Sequence, residues 1–437
     1  MTSAEISWLS AANNLAAGSF LLLFGRVADL FGRRWLLIAA LASFAVFSIV
    51  AGFATNAVYL DVMSGLQGIS CAAAVPPALG KLGGVYRVPS WRKNRAFACF
   101  SAGYPVGFVL GGFIAGVATD VGTWRVSFWA MGVLYAVFAV AAWWTVPSDG
   151  EQSLGGWNMK TLRQFDLVGA VLTVAGMGMF TASFTLTGDS EGGWREGYVL
   201  ALLIVGAILI GTFIYWQSIC RNPLMPLGVF KDRNFSILVF ALCIGNLSFG
   251  GNLFWISLLW QRVERQKPLM VAVRLLPAGV GGIVVNAVAG LVMHKVSNKL
   301  LMVVGTASLV VASALWSATG PGLSYWALSF PALLCSVIGV DFQFTVTNMY
   351  VLSSMSSDQQ SVAGGMFNTI ARIASTIALG IQTAVYEGAG GTADGADALQ
   401  YRPYQATFWF SLGATFLGLV AVPFLTIGTQ GAKKKTP

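Results

Sequence analysis

Apolar positions in this chain run in long blocks, without the clean two-residue or seven-residue alternation of a surface strand or helix. Each block is about 20 residues, the length at which a helix crosses a hydrocarbon core about 30 Å thick. Thirteen blocks predict helical spans over residues 6–28, 35–53, 57–80, 96–119, 127–145, 167–188, 197–218, 234–259, 270–293, 300–319, 324–351, 362–386 and 405–427. Trp35, Trp143, Trp144, Trp194, Trp260 and Trp326 stand near block ends, where interfacial aromatic belts form. The predicted fold class is an all-α polytopic membrane protein.

Composition supports that reading. Hydrophobic residues make up 56% and charged residues 10%, against about 25% charged in a soluble domain. So few charges could not cover a soluble globule, which excludes a soluble enzyme, a nucleic-acid binder and a disordered scaffold. The net charge of +9 is scattered through short connections, so it speaks to topology and to no nucleic-acid partner. Five separated cysteines and one histidine offer neither a disulfide framework nor a metal site. No nucleophile with base and orienting group emerges, and no phosphate-binding glycine loop, so neither enzyme chemistry nor ATP-driven transport is expected, and no cofactor.

Lys and Arg sort unevenly between alternate loops. One side collects 18, including Arg26, Arg33, Arg34, Lys81, Arg87 and Lys433 to Lys435; the other collects seven, and Arg372 lies inside a span. The richer side is read as cytoplasmic, with the C-terminus inside. A weak internal repeat pairs Gly25–Arg34 with Gly290–Lys299, the second copy following the second of the last six spans. By that placement the first copy should also follow a second span, so one span is expected ahead of Met1, the alternative being a protein built with thirteen.

Three patterns carry candidate chemistry. Gly25-Arg-Val-Ala-Asp29-Leu-Phe-Gly32-Arg33-Arg34 joins the first two spans. Gly25 would let two helices approach closely, Gly32 would permit a tight turn, and Asp29 would meet a helix N-terminus or a cation at the membrane edge. In the fourth span, Gly103, Pro105, Gly107, Gly111 and Gly112 suggest a close helix crossing on one small-residue face, with a bend at the proline. In the third, Asp61, Ser64 and Gln67 line up before Gly68. Asp61 is either a coupling group or an acid favoured at a helix start.

Asp341 and Arg372 are the charges placed deepest, each about ten residues from a cytoplasmic helix end and so roughly 15 Å in. Unpaired charges at such depth cost at least ~2.5–3.5 kcal/mol, so pairing or a wet cavity is expected. Either an ion pair fixes helix packing, or the site senses protons or substrate. Asn13, Asn14, Asn246, Asn252, Asn286, Gln343, Asn348 and Gln382 are further polar residues in spans, each as suited to bridging helices as to binding substrate. The five cations of residues 81–95 are read as a topology-setting loop, and His294 as a degenerate place in the second repeat copy.

The loop from Gly25 to Arg34 resembles the signature loop of the major facilitator superfamily, and the glycines of the fourth span resemble the motif of its antiporters. Phe108 stands where that motif has proline, and Ser64 stands where the family has the arginine associated with proton transfer. Over the whole chain the resemblance is to the 14-span drug:proton antiporter branch, especially fungal aminotriazole-resistance and low-affinity ammonium transporter-like members. It implies a helical half over 1–145, a linker at 146–166, two inserted spans in 167–218, a linker at 219–233, a six-span half over 234–427 and a basic tail at 428–437. It also implies a monomeric plasma-membrane secondary transporter that exports small organic compounds against proton entry by alternating access. Gly25, Asp29, Gly32, Arg33 and Arg34 would then gate the cycle. Asp341, Arg372, Asp61 and Gln67 would be the candidate coupling or cavity residues. Uptake of a small cation such as ammonium or of a metabolite, and a membrane protein that transports nothing, are the alternatives.

Overall fold

A computed structural model describes residues 3–86, 91–121, 123–148, 165–187, 195–220, 223–293, 295–355, 359–391 and 400–428. Among them are 13 helices long and apolar enough to cross a membrane and no strand. Helices are what lipid demands, because each backbone polar group must find its partner within the segment. In chain order they are α1 (Ser3–Phe31), α2 (Arg33–Ala51), α3 (Ala57–Val85), α4 (Trp91–Val121), α5 (Trp124–Thr145), α6 (Leu167–Thr187) and α7 (Gly197–Ile219). Then follow α8 (Arg233–Arg262), α9 (Pro268–Val292), α10 (Asn298–Ser317), α11 (Ser329–Ser353), α12 (Gln360–Gly388) and α13 (Arg402–Ala421).

Two compact units result. The first comprises Met1–Arg87, Phe113–Val229 and Val351–Ile373, and the second Val88–Gly112, Phe230–Tyr350 and Ala374–Pro437. Helices α4, α11 and α12 each contribute to both. In the first unit α3 packs on α1 and α2, α5 on α2, and the pair α6–α7 joins through α1. In the second, α13 packs on α8 and α10. The core of this unit is aromatic. Trp255 stacks on Tyr386 at 4.5 Å, and Trp260 meets Trp316 edge-on at 6.3 Å, with Tyr404 and Phe408 against them.

Local chemistry sets the helix ends. The Asn56 side chain accepts from the Tyr59 amide at 2.8 Å and caps α3, Asp232 caps α8, and Ser297 caps α10, each satisfying a donor that has no partner within its helix. Asp166 does this and more. It accepts from the Gly169 amide at 2.8 Å, from Trp216 Nε1 at 2.9 Å and from Gln217 Nε2 at 2.8 Å, tying the start of α6 to the end of α7. Asp166→Ala is expected to lower stability by about 1–3 kcal/mol, because three donors lose one buried acceptor. A fall in the thermal unfolding midpoint of the detergent-purified protein checks this; an unchanged midpoint would show that the clasp contributes nothing.

Several expectations are corrected. The eleventh span begins at Ser329 and not 324, since a turn with Gly322 at φ +77° precedes it. Residues 81–85 close α3 and residues 91–95 open α4, so the five cations do not form one loop, and Lys93 is buried. The last span gives way at Val422–Phe424 to a 3-10 turn containing Pro423. Trp35, Trp143, Trp144 and Trp326 are exposed as a belt requires, but Trp260 is 1% exposed and belongs to the core of the second unit. Trp194, His294 and Lys433 to Lys435 lie outside the described residues.

Candidate functional site

Only Gly32 separates α1 from α2. It has φ 115° and ψ 131°, in the region that a side chain makes costly, so the chain reverses there within one residue. This turn places Asp29 and Arg33 one helical turn apart in sequence and face to face. Arg33 donates to Asp29 Oδ1 from Nε at 3.0 Å and from Nη2 at 2.8 Å, and from Nη1 to the Gly80 carbonyl at 2.9 Å. The Ser361 amide donates to Asp29 Oδ1 at 3.2 Å and the Val362 amide to Oδ2 at 2.9 Å. Asp29 thus meets both a cation and the positive end of α12, where a carboxylate is favoured. Both charges are almost fully buried.

Gly25 provides the close approach that lets this happen. A Cβ there would lie 2.8 Å from the Ser361 carbonyl oxygen and 3.1 Å from Val362 Cα, and one at Gly365 would lie 2.7 Å from the Leu21 carbonyl oxygen. Arg34 points elsewhere, donating from Nη2 to the Trp143 carbonyl at 2.6 Å with its guanidinium 5.9 Å from the Trp143 ring.

The glycines of α4 behave differently from expectation. A methyl group at Gly103, Gly107, Gly111 or Gly112 would meet no described atom within 4 Å, so these four do not make a close crossing. The crossing that exists uses glycines of the partner helix. A Cβ at Gly282 of α9 would lie 2.7 Å from Pro105 Cβ, and one at Gly279 would collide with Val109 Cγ2. Bulk on α4 fits into gaps on α9.

Asp341 belongs to the second unit and Arg372 to the first. Arg372 donates from Nη1 to Asn14 Oδ1 at 3.0 Å, and its stem lies 3.9 Å from the position a Cβ would take at Gly18. The Asp341 carboxylate interacts with the Asn286 side chain. Its Oδ2 lies 3.3 Å from where a Gly282 Cβ would be, and it is buried with no hydrogen-bond partner among the described residues. Asn286 is itself fully buried and donates to the Gly282 carbonyl at 2.9 Å, while Thr345 Oγ1 lies 3.5 Å from Asn286 Oδ1. One turn along α11, Phe344 packs edge-on against Tyr104 at 5.4 Å.

Asp61 is one turn inside α3 and the capping acceptor is Asn56, so the helix-start role does not fall to Asp61. Gln67 Nε2 donates to Ser48 Oγ at 3.2 Å, and Asn13 Nδ2 donates to the Ser64 carbonyl at 3.2 Å. Other interior amides likewise bridge helices: Asn252 to Ser248 and Ser313, Gln343 to Thr306, and Gln382 to Ser411. Asn348 differs, because both its amide atoms are buried and have no partner among the described residues.

Sequence reasoning missed a cavity of about 260 Å³ lined by Trp260, Glu264, Arg274, Tyr325 and Tyr401 among others. There Arg274 pairs with Glu264 at 2.6 Å and lies 5.4 Å from the Trp260 ring and 5.5 Å from that of Tyr325. Burial pushes the Tyr325 hydroxyl up, with Arg274 opposing that in part. The cavity contains none of the motif residues and not Asp341.

These features meet in one family. The model of the "Major Facilitator Superfamily" matches residues 1–379. The chain belongs to the major facilitator superfamily. Curated relatives run nearly its full length. It is 27% identical over 436 residues to the low affinity ammonium transporter of Saccharomyces cerevisiae, covering 99% of this chain and 82% of that protein. It is also 27% identical over 428 residues to the efflux pump terJ of Aspergillus terreus, covering 97% and 80%. The aminotriazole resistance protein of S. cerevisiae is 24% identical over 385 residues, 87% of this chain and 70% of that one. Among solved structures, the human organic anion transporter MFSD10 (TETRAN) aligns with a TM-score of 0.66 at 13% identity over 95% of this chain and 83% of that one. The proton:xylose symporter XylE aligns at 0.64 and 12%, over 98% and 88%. Both similarities speak to the fold. This superfamily member is accordingly a multi-span membrane transporter and not an enzyme.

Proposed function

We propose that this transporter exports small organic compounds in exchange for entering protons, with Asp341 as the group that takes up and releases the proton. The observation that carries the reading is the Asp341 carboxylate itself, held inside the second unit beside the neutral amide of Asn286 with Oδ2 unpartnered. A carboxylic acid in such surroundings can cycle between charged and neutral forms, which a salt-bridged acid does poorly. The family's usual arginine in the third helix is replaced by Ser64, so coupling through that position is not available.

Alternating access would supply the cycle, with two helical halves rocking about a midplane site. The halves would be 1–145 and 234–427, with 167–218 inserted. The turn at Gly32 and the Asp29–Arg33 pair at the start of α12 would then act as a latch for one state. The loop-charge count supports a cytoplasmic C-terminus, and plasma-membrane residence of a monomer fits export. Arg372 with Asn14 would line the interior of the first unit.

The relative named an efflux pump favours export, and the relative named an ammonium transporter favours uptake of a small cation. Cells expressing the chain, challenged with aminotriazole and separately with radiolabelled methylammonium across a range of external pH, distinguish the two. Export predicts lower aminotriazole retention than in control cells, with the effect growing as the medium is acidified. Higher methylammonium accumulation with unchanged aminotriazole retention would replace export by uptake.

A further inference from the structure

We infer that the face of α11 bearing Asp341, Thr345 and Asn348 is a water-lined proton path joining Asp341 to the C-terminal end of that helix. The inference rests on the reading of Asp341 as the proton-carrying group. The three residues are spaced four and three apart within one unbroken helix, so they share a face. At 1.5 Å per residue the stripe spans about 10 Å and ends little more than one turn from Ser353. The loop charges place that end toward the cytoplasm.

Burial is nearly complete at two of the three stripe positions, and at Asp341, itself half-buried, the Oδ2 atom is covered. Thr345 and Asn348 are each 1% exposed and Asn286, across on α9, is fully buried. In a dry, close-packed interior an amide would be placed where another group answers at least its N–H donor, as those of Gln343, Gln382 and Asn252 are, although their oxygens are left over as well. Asn348 has neither its donor nor its acceptor answered by the described residues, and Asp341 Oδ2, two turns away on the same face, is likewise unanswered. Buried polar groups left over by the protein are the places where internal water is held, and a water there needs two to four polar partners. Asp341 Oδ2, Thr345 Oγ1 and the Asn348 amide supply them in sequence. Thr345 with its hydroxyl hydrogen toward Asn286 Oδ1 would keep a lone pair for water.

The groups around the carboxylate are uncharged. On α9 they are Gly282 and Asn286, and on α4 Pro105, with the Tyr104 phenol one turn along against Phe344. Tyr350, bonded to Asp232, is nine residues from Asp341 and therefore on the opposite face of α11. Among the described residues no charged group acts on the carboxylate. Transfer along it is a sequence of hops: an O–H bond of one water breaks as the O–H bond of the next forms, and the last hop protonates the carboxylate. Thr345 and Asn348 are positioning residues that hold the waters and do not themselves change charge.

The test is the speed at which Asp341 takes up a proton, read without any transported compound. The full chain in lipid nanodiscs is subjected to a pH jump, and the carboxylic acid C=O stretch is followed by time-resolved infrared spectroscopy. The Asp341 band is the one absent from Asp341→Asn. Thr345→Val, which keeps the volume, and Asn348→Leu should each slow that band on the order of tenfold, with its final amplitude unchanged. Asn348→Ser should restore most of the rate. Parental rates in Thr345→Val and Asn348→Leu would overturn the path while leaving Asp341 as the proton site. A spectrum in which Asp341→Asn removes no titrating band would overturn both. Should Asn348→Leu fail to fold, the isosteric Thr345→Val decides alone.

Discussion

Asp29→Leu is expected to destabilise the protein by about 3–5 kcal/mol, the usual consequence of leaving a buried charge without its partner. The side chains of Arg33 and Asp29 are 7% and 0% exposed, so water cannot stand in for the carboxylate. The substitution also strips acceptors from the Ser361 and Val362 amides at the start of α12. Thermal unfolding in detergent should show a large drop for Asp29→Leu, and a smaller one for Asp29→Asn, whose amide oxygen still accepts. The double variant Asp29→Leu/Arg33→Leu should unfold later than Asp29→Leu alone, since it removes the stranded guanidinium. A double variant that unfolds earlier than the single one would show that the cost does not come from Arg33.

Gly25→Val should be nearly as damaging, through shape and not charge. The atoms that its Cβ would meet, the Ser361 carbonyl oxygen and Val362 Cα, are backbone, and backbone cannot rotate away as a side chain can. Overpacking of this kind costs about 1–3 kcal/mol or more, and it would also pull the Ser361 and Val362 amides away from Asp29. Gly112→Ala is the matched control: it meets no described atom within 4 Å and should stay within about 0.5 kcal/mol of the parent. Equal unfolding midpoints for Gly25→Val and the parent would contradict the close approach of α1 and α12.

The contrast between these two glycines shows what could be read from the chain alone. The signature loop was legible because its geometry is local: Asp29 and Arg33 are four residues apart, and Gly32 performs a turn that the sequence announces. The partner of Asp29 at the start of α12 lies 332 residues from it, and only the expectation that a carboxylate seeks a helix N-terminus pointed toward it. The glycines of α4 misled because repeated spacing marks a smooth face without saying what covers it. The gap that matters is in α9, where Gly279 and Gly282 receive Val109 and Pro105. The 13 spans were legible from hydropathy, since lipid requires long apolar helices. Hydropathy does not tell a lipid-facing aromatic from a core one, so Trp260 was placed in the belt when it packs against Trp316 and Tyr325. Asp341 stood out as a charge within an apolar run, but its neighbour Asn286 on α9 did not, because interior amides are common and most of them bridge helices.

The most direct test of proton exchange through Asp341 is a proton count in liposomes. The purified chain is reconstituted around a trapped pH indicator and aminotriazole is added on one side only. Exchange predicts that the indicator records protons moving opposite to aminotriazole, and that Asp341→Asn abolishes this signal while still equilibrating labelled with unlabelled aminotriazole. Aminotriazole movement with no accompanying proton signal, or a signal that survives unchanged in Asp341→Asn, would contradict it.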